Sequence, residues 1–232
     1  MLVLGIDTAT PRVSVALGDA TDVRGEVQLT GGRRHAEQLA PAIEYLCREL
    51  DVDLAHISAI AVGIGPGLFT GLRVGVTTAK VMAQTLRIPV VGVPSLDLVA
   101  YPLRHSDRLL VVVLDARRRE VFHTRYRPVP GGVQRVSEYE VGTPAELVAD
   151  LGAADEEMLL AGDGVAQYPT EFAELEHAER AGPEFMWPSA AALVHLAAAR
   201  VEREEFEAPW DVHPMYLRKS DAEIEWDRRA TP

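Results

Sequence analysis

The sequence predicts an α/β protein of two similar halves, each a mixed sheet flanked by helices. Three observations predict it. Apolar runs of strand length alternate with segments whose apolar residues recur at three and four positions. A grammar of buried strand, terminal aspartate, tight turn and amphipathic strand occurs twice, as LVLGID-TATPR-VSVAL and LVVVLD-ARRRE-VFHTRY, which suggests a degenerate internal duplication. The chain, 232 residues with 47% hydrophobic and 25% charged side chains, is long enough to bury a core in each of two small domains.

The first apolar run ends in Asp7, and the turn-prone Thr8-Ala9-Thr10-Pro11 with the alternating stretch 13–17 makes a hairpin of it. A third strand is expected over 23–29, closed by Gly31-Gly32. Leu39, Ile43, Leu46 and Leu50 recur at helical spacing with Pro41 inside the pattern, so a kink, or a helix beginning close before the proline, is expected. Strand 57–64, the loop Gly65-Pro66-Gly67, a helix to residue 87 and a strand over 89–93 follow. The second half restarts with strand 109–114, ending in Asp115, then a turn of arginines and the alternating stretch 121–126. A helix over 144–151, a strand over 158–161 and a helix over 190–201 are expected to complete it. The predicted subdomains are therefore 1–104 and 105–217, with 218–232 a charged, loosely held tail.

The N-terminus has no basic region before its apolar run, and no uninterrupted stretch reaches membrane-spanning length, so a cytoplasmic protein is expected. The single cysteine, Cys47, excludes an internal disulfide framework and falls in an apolar helix pattern, which predicts a buried thiol. Thirty-five acidic against 23 basic residues give a net charge of −12, which argues against autonomous nucleic-acid binding; if RNA is the ultimate substrate, another protein supplies the positive surface. Arg117, Arg118, Arg119 and the Arg218-Lys219 pair are local exceptions, read as solvated turn and tail. No two of the seven histidines stand three or four apart, so no helical metal pair is encoded. No serine, cysteine or zinc constellation supports a protease.

Two loops carry the chemical signals. Gly65-Pro66-Gly67 lies between a buried strand and a helix, where backbone amides can hold an anion, with Thr70 expected to cap the helix. It is not a Walker loop. Gly71, Gly75, Ala79 and Ala83 then recur every four residues and leave one helix ridge nearly bare. Glycine in a helix costs about 1 kcal/mol relative to alanine, so a compensating close contact is expected, either inside the domain or against a second protein. Asp7 with Thr8 and Thr10, and Asp115 in the other half, occupy the strand-to-turn positions where actin-like ATPases and sugar kinases hold phosphate and metal. Gly162-Asp163-Gly164 resembles the loop beside adenosine in that fold.

GIDTAT, the His35-Ala36-Glu37-Gln38-Leu39 helix start, GPGLFTGLRVG, the GVPSL run, the Asp115-Ala116-Arg117 turn and Pro214-Met215-Tyr216-Leu217-Arg218 occur in order along almost the whole chain. Together they resemble the TsaB (YeaZ) family. The resemblance implies two actin-like (ASKHA, ribonuclease H-like) subdomains and a non-catalytic subunit that pairs with a TsaD-type paralogue, recruits a TsaE-type ATPase and supports threonylcarbamoyladenosine formation beside the tRNA anticodon. It implies no cofactor for the chain alone, ATP or ADP within the assembled complex, tRNA contact only through that complex, no membrane partner, and a homodimer in isolation. Leu68 stands where TsaB usually has serine and TsaD leucine, but the chain lacks the paired histidines by which TsaD holds its metal and is shorter than that family. The implied partner or dimer interface uses the two helices above, at Leu39, Ile43, Leu46, Gly71, Leu72, Gly75, Val76 and Ala79. Asp7, Thr8, Thr10, Asp115, Gly162 and Gly164 become vestigial nucleotide-site positions. The alternative is an autonomous ATP-dependent kinase or phosphotransferase of the same fold, resting on Asp7, Asp115 and the Gly162-Asp163-Gly164 loop.

Overall fold

The N-terminal apolar run becomes β1 (Val3–Asp7), buried at every residue because helices cover both faces of the sheet it centres. The computed structural model of the chain describes residues 1–31, 34–154 and 156–218; Gly32 and the predicted tail, apart from Arg218, lie outside them. β2 (Arg12–Gly18) returns antiparallel on β1, and β3 (Val23–Thr30), alternating between half-buried and exposed, pairs antiparallel with β2 at the edge. After α1 (His35–Glu49), β4 (Ala59–Gly65) joins parallel on the other side of β1; after α2 (Phe69–Leu86), β5 (Val90–Pro94) joins parallel to β4.

A short α3 (Ser95–Ala100) leads to the second sheet. β6 (Leu109–Arg117), β7 (Glu120–Val129) and β8 (Gly132–Arg135) form an antiparallel meander, with β9 (Glu140–Gly142) also on β7. α4 (Pro144–Gly152) starts at a reciprocal cap, the Thr143 hydroxyl accepting from the Glu146 amide and the Glu146 carboxylate accepting from the Thr143 amide. β10 (Met158–Ala161) pairs parallel to β6, and α5 (Asp163–Gln167) and α6 (Pro169–Phe172) precede β11 (Ala178–Arg180), parallel to β10. Among the described residues the sheet orders are β3-β2-β1-β4-β5 and β8-β7-β6-β10-β11, the same topology twice. The repeated sequence grammar is the hairpin at the centre of each sheet.

The structure departs from expectation in four places. α1 begins at His35 and runs through Pro41, which faces solvent. Ile57 precedes its strand, which begins at Ala59. Thr70 does not cap α2: Leu68 is the N-cap, without a side-chain bond, and Thr70 sits one residue inside the helix. Finally α7 (Ala190–Glu202), expected in the second half, packs on the first sheet opposite α1 and α2, its Ala190, Leu193, Val194 and Ala197 meeting Val3, Ala16, Ala61 and Val91. An alanine-rich face lets the helix approach closely, and at Gly5 a Cβ would already press on the Ala190 carbonyl.

The chain beyond α7 also returns to the first half. Glu207 pairs with Val90 on the edge of β5, the Lys80 ammonium donates to the carbonyls of Trp210 (3.3 Å) and Val212 (3.0 Å), and the Met215 amide donates to Ile64 (2.7 Å). Only then does this strap cross to the second half, where Arg218 donates to the Ala116 carbonyl at 2.6 Å and to Glu120 at 3.0 Å.

Candidate functional site

The bare ridge of α2 faces inward. Gly71 and Gly75 lie against the turn after β1: a Cβ at Gly71 would overlap the Thr8 carbonyl oxygen, and one at Gly75 the Thr8 hydroxyl. That hydroxyl donates to the Gly71 carbonyl at 2.8 Å, and the His35 ring Nε2 donates to the Thr10 carbonyl at 2.7 Å, so the turn is locked to both helices. Of the two contacts left open by the glycine spacing, the structure shows the one within the domain. The other implied interface positions lie in the same place: Leu39, Ile43, Leu46, Val76 and Ala79 belong to the core between α1, α2 and the sheet, and Leu72 is fully buried. Cys47 packs in that core, and burial raises its thiol pKa.

What α1 and α2 turn outward is a different stripe. Ala36, Leu39 and Ala40 from α1 and Phe69, Thr70, Arg73, Val74, Thr77 and Thr78 from α2 line an open groove of about 510 Å³. Apart from Leu39 these residues stand beside the predicted ones, because a shift of one position turns a helix side chain by about 100°. The groove is small-residue, threonine-rich and partly apolar, with Arg73 its single charged side chain. The strap builds one end: Tyr216 stacks on Phe69 (ring centroids 5.0 Å apart), the Arg73 guanidinium lies 3.9 Å over the Phe69 ring, and Arg73 Nε donates to the Tyr216 hydroxyl at 3.3 Å. Exposed Tyr45 and Val81 extend the apolar surface of the two helices. Reading the apolar stripe as the interface missed this surface; the signal was present as the second, threonine-containing stripe at Thr70, Val74, Thr77 and Thr78.

The phosphate-turn positions are held by internal partners. Asp7, 1% exposed, accepts from the Ser95 hydroxyl (2.8 Å) and the Ala9 amide (3.1 Å), and burial raises its pKa to about 6. Thr8 and Thr10 are buried. The Gly-Pro-Gly loop folds onto the same turn, and the Leu68 amide, which stands where an anion would be met, donates to the Ala9 carbonyl at 2.7 Å. In the other half Asp115 pairs with Arg117 (3.2 Å) and accepts from the Arg117 amide, while the Asp115 amide donates to Asp163, whose pKa burial also raises to about 6. Gly162 and Gly164 are pressed against Val113 of β6; at Gly162, φ +107°, a Cβ would overlap the Val113 carbonyl. Arg118 and Arg119 form the hairpin loop at φ 55° and 62°, the left-handed pair that a tight two-residue turn uses. Among the described residues no group of three or more His, Cys, Asp or Glu is placed to hold a metal, and no helix is long and apolar enough to cross a membrane.

A family model described as TsaD, tRNA N6-adenosine threonylcarbamoyltransferase, matches residues 24–226. Over 226 residues the chain is 37% identical to an uncharacterized protein of Mycobacterium tuberculosis, covering 95% of this chain and 93% of that one. Over 229 residues it is 30% identical to the tRNA threonylcarbamoyladenosine biosynthesis protein TsaB of Bacillus subtilis, covering 97% and 98%. The solved structure of YeaZ from Pseudomonas aeruginosa matches with a TM-score of 0.80 and 29% identity over 93% of this chain and 99% of that one. With two actin-like halves and an end-to-end match in both sequence and structure, the chain belongs to the TsaB (YeaZ) family, within the wider family that the transferase model describes.

Proposed function

We propose that the chain is a non-catalytic subunit that docks through the α1–α2 groove onto a TsaD-type paralogue and supports that enzyme in forming threonylcarbamoyladenosine next to the tRNA anticodon. The carrying observation is the groove itself, an exposed, partly apolar concavity on the two helices to which the family resemblance points. The names of the relatives supply the pathway, and the internal pairing of Asp7, Thr8 and Asp115 favours a supporting role over phosphoryl transfer by the chain alone. In this reading the protein works in the cytoplasm, self-associates through the same groove when its paralogue is absent, recruits a TsaE-type ATPase, meets tRNA only in the complex, and shares in binding ATP or ADP only there. Its net charge of −12 fits a subunit that leaves RNA phosphates to its partner.

The test is sedimentation of the chain with its organism's TsaD-like protein, with and without ATP, followed by a tRNA modification assay read by nucleoside mass spectrometry. Ala40→Arg with Thr77→Arg, both at exposed groove positions, is expected to abolish the mixed species and the modification while leaving the melting temperature unchanged. Independent sedimentation of the two wild-type proteins under both conditions would reject the proposal.

A further inference from the structure

The helices flanking the groove carry opposite charges. α2 has no acidic residue; its cations are Arg73 and Lys80, and Lys80 is spent on two carbonyls of the strap. α1 carries Glu37, Glu44 and Glu49 against Arg48, which pairs with Glu49 at 3.1 Å. Three charges therefore have no ion-pair partner among the described residues: Glu37 and Glu44 on α1, and Arg73 on α2. Their placement is ordered. Glu37 and Glu44 are seven residues apart, two turns on one face, and Ala40 between them lines the groove, so both carboxylates stand along its α1 rim. Arg73 lies on the α2 side, pre-set by its stack on Phe69 and its bond to Tyr216, with both terminal guanidinium nitrogens still available.

We propose that this groove takes a second copy of the same chain across a two-fold axis, with Arg73 of each copy pairing with Glu37 or Glu44 on α1 of the other, so that Arg73 sets the register of self-association. A two-fold interface uses one patch twice, and a patch with a cation on one rim and carboxylates on the opposite rim is complementary to its own rotated copy. Apolar packing of Val74, Phe69 and the alanines supplies contact area, and the crossed pairs select orientation. The inference rests on the groove being an association surface and adds which residues read the partner there.

The experiment is a charge-reversal cycle in the full chain, read by sedimentation equilibrium. Arg73→Glu alone, and Glu37→Arg with Glu44→Arg, are each expected to weaken self-association at least about tenfold, and the triple variant to recover most of that loss. Wild-type self-association is expected to weaken as salt rises, and the Arg73→Gln chain to respond less. All three positions are exposed, and unchanged circular-dichroism melts will confirm that the folds are intact. Reversals that leave the dimer constant unchanged, a triple variant no better than Arg73→Glu, or a monomeric wild-type chain at 100-micromolar-scale loading (about 100 μM, where an interface of ordinary affinity associates) would each overturn the inference. An Arg73→Glu chain that dimerises normally but loses the paralogue would assign Arg73 to that partner and equally overturn self-pairing. Because paralogue binding is measured separately, self-pairing can fail while the proposed function stands.

Discussion

The hydroxyl of Thr8 donates to the carbonyl of Gly71 at 2.8 Å, and Gly75, one turn along the helix, leaves the space that the hydroxyl fills. The bare ridge of α2 is therefore the seat of the β1–β2 turn. Substitutions on it report folding before they report docking.

Gly75→Ala is expected to lose about 1 to 3 kcal/mol in urea unfolding, because its new methyl meets the Thr8 hydroxyl in a packed core. Adding Thr8→Ala removes that obstacle and should restore part of the loss. Gly71→Ala should not be rescued the same way, since its methyl meets the Thr8 backbone carbonyl, which no side-chain change removes. Equal rescue of both would contradict this packing.

Asp7 predicts a pH dependence. Its pKa, 3.8 ordinarily, is raised by burial to about 6 in the folded chain. Below 3.8 both folded and unfolded forms hold the proton. As pH rises from there towards 6 the unfolded form releases it first, so stability falls, by about 3 kcal/mol for such a difference, and levels off above 6. Asp163 has the same sign, so Asp7→Asn should flatten part of the decline. Chemical denaturation of both proteins at pH 4.5 and 7 measures it; parallel profiles would place the carboxyl in a wetter site than its burial indicates.

Asp97 ties α3 to the second sheet. The hydroxyls of Tyr126 and Tyr139 both donate to its Oδ1, at 2.6 and 2.7 Å, and Tyr126 is 1% exposed. Asp97→Ala leaves a buried phenol without an acceptor and should cost about 3 kcal/mol, whereas Tyr139→Phe should cost about 1. Thermal unfolding distinguishes them, and an Asp97→Ala chain as stable as a surface variant would show the link to be dispensable.

Lys80 holds the strap by two carbonyls, next to Trp210, which is 69% exposed. Lys80→Met should raise the open population of the strap roughly tenfold, the effect of losing about 1.5 kcal/mol of charge-assisted hydrogen bonding. Chymotrypsin should then cut after Trp210 at a correspondingly higher rate, with the far-ultraviolet spectrum of the uncut protein unchanged. Equal cutting rates would mean that the strap is held elsewhere.

Most elements were legible in the sequence because each depends on local order. Alternation placed the two hairpins, the spacing of Leu39, Ile43 and Leu46 placed α1, and Thr143, Pro144 and Glu146 mark the start of α4. The glycine spacing of α2 correctly demanded a close contact. The interface positions were legible to within one step of a helix: the right helices, but the inward stripe in place of the outward one.

By itself the sequence determined the strand and helix order, the doubled hairpin grammar and the family, since periodicity and motif order are properties of the chain alone. Only the tertiary structure decided that α7 covers the first sheet, that Thr8 occupies the glycine ridge, and that Tyr216 comes back to build the end of the groove. The reason is physical. Periodicity says which side chains share a face, but the neighbour a face meets is chosen by shape and burial summed over segments far apart in the chain, and Thr8 with Gly71 or Tyr216 with Arg73 leave no local mark of that choice.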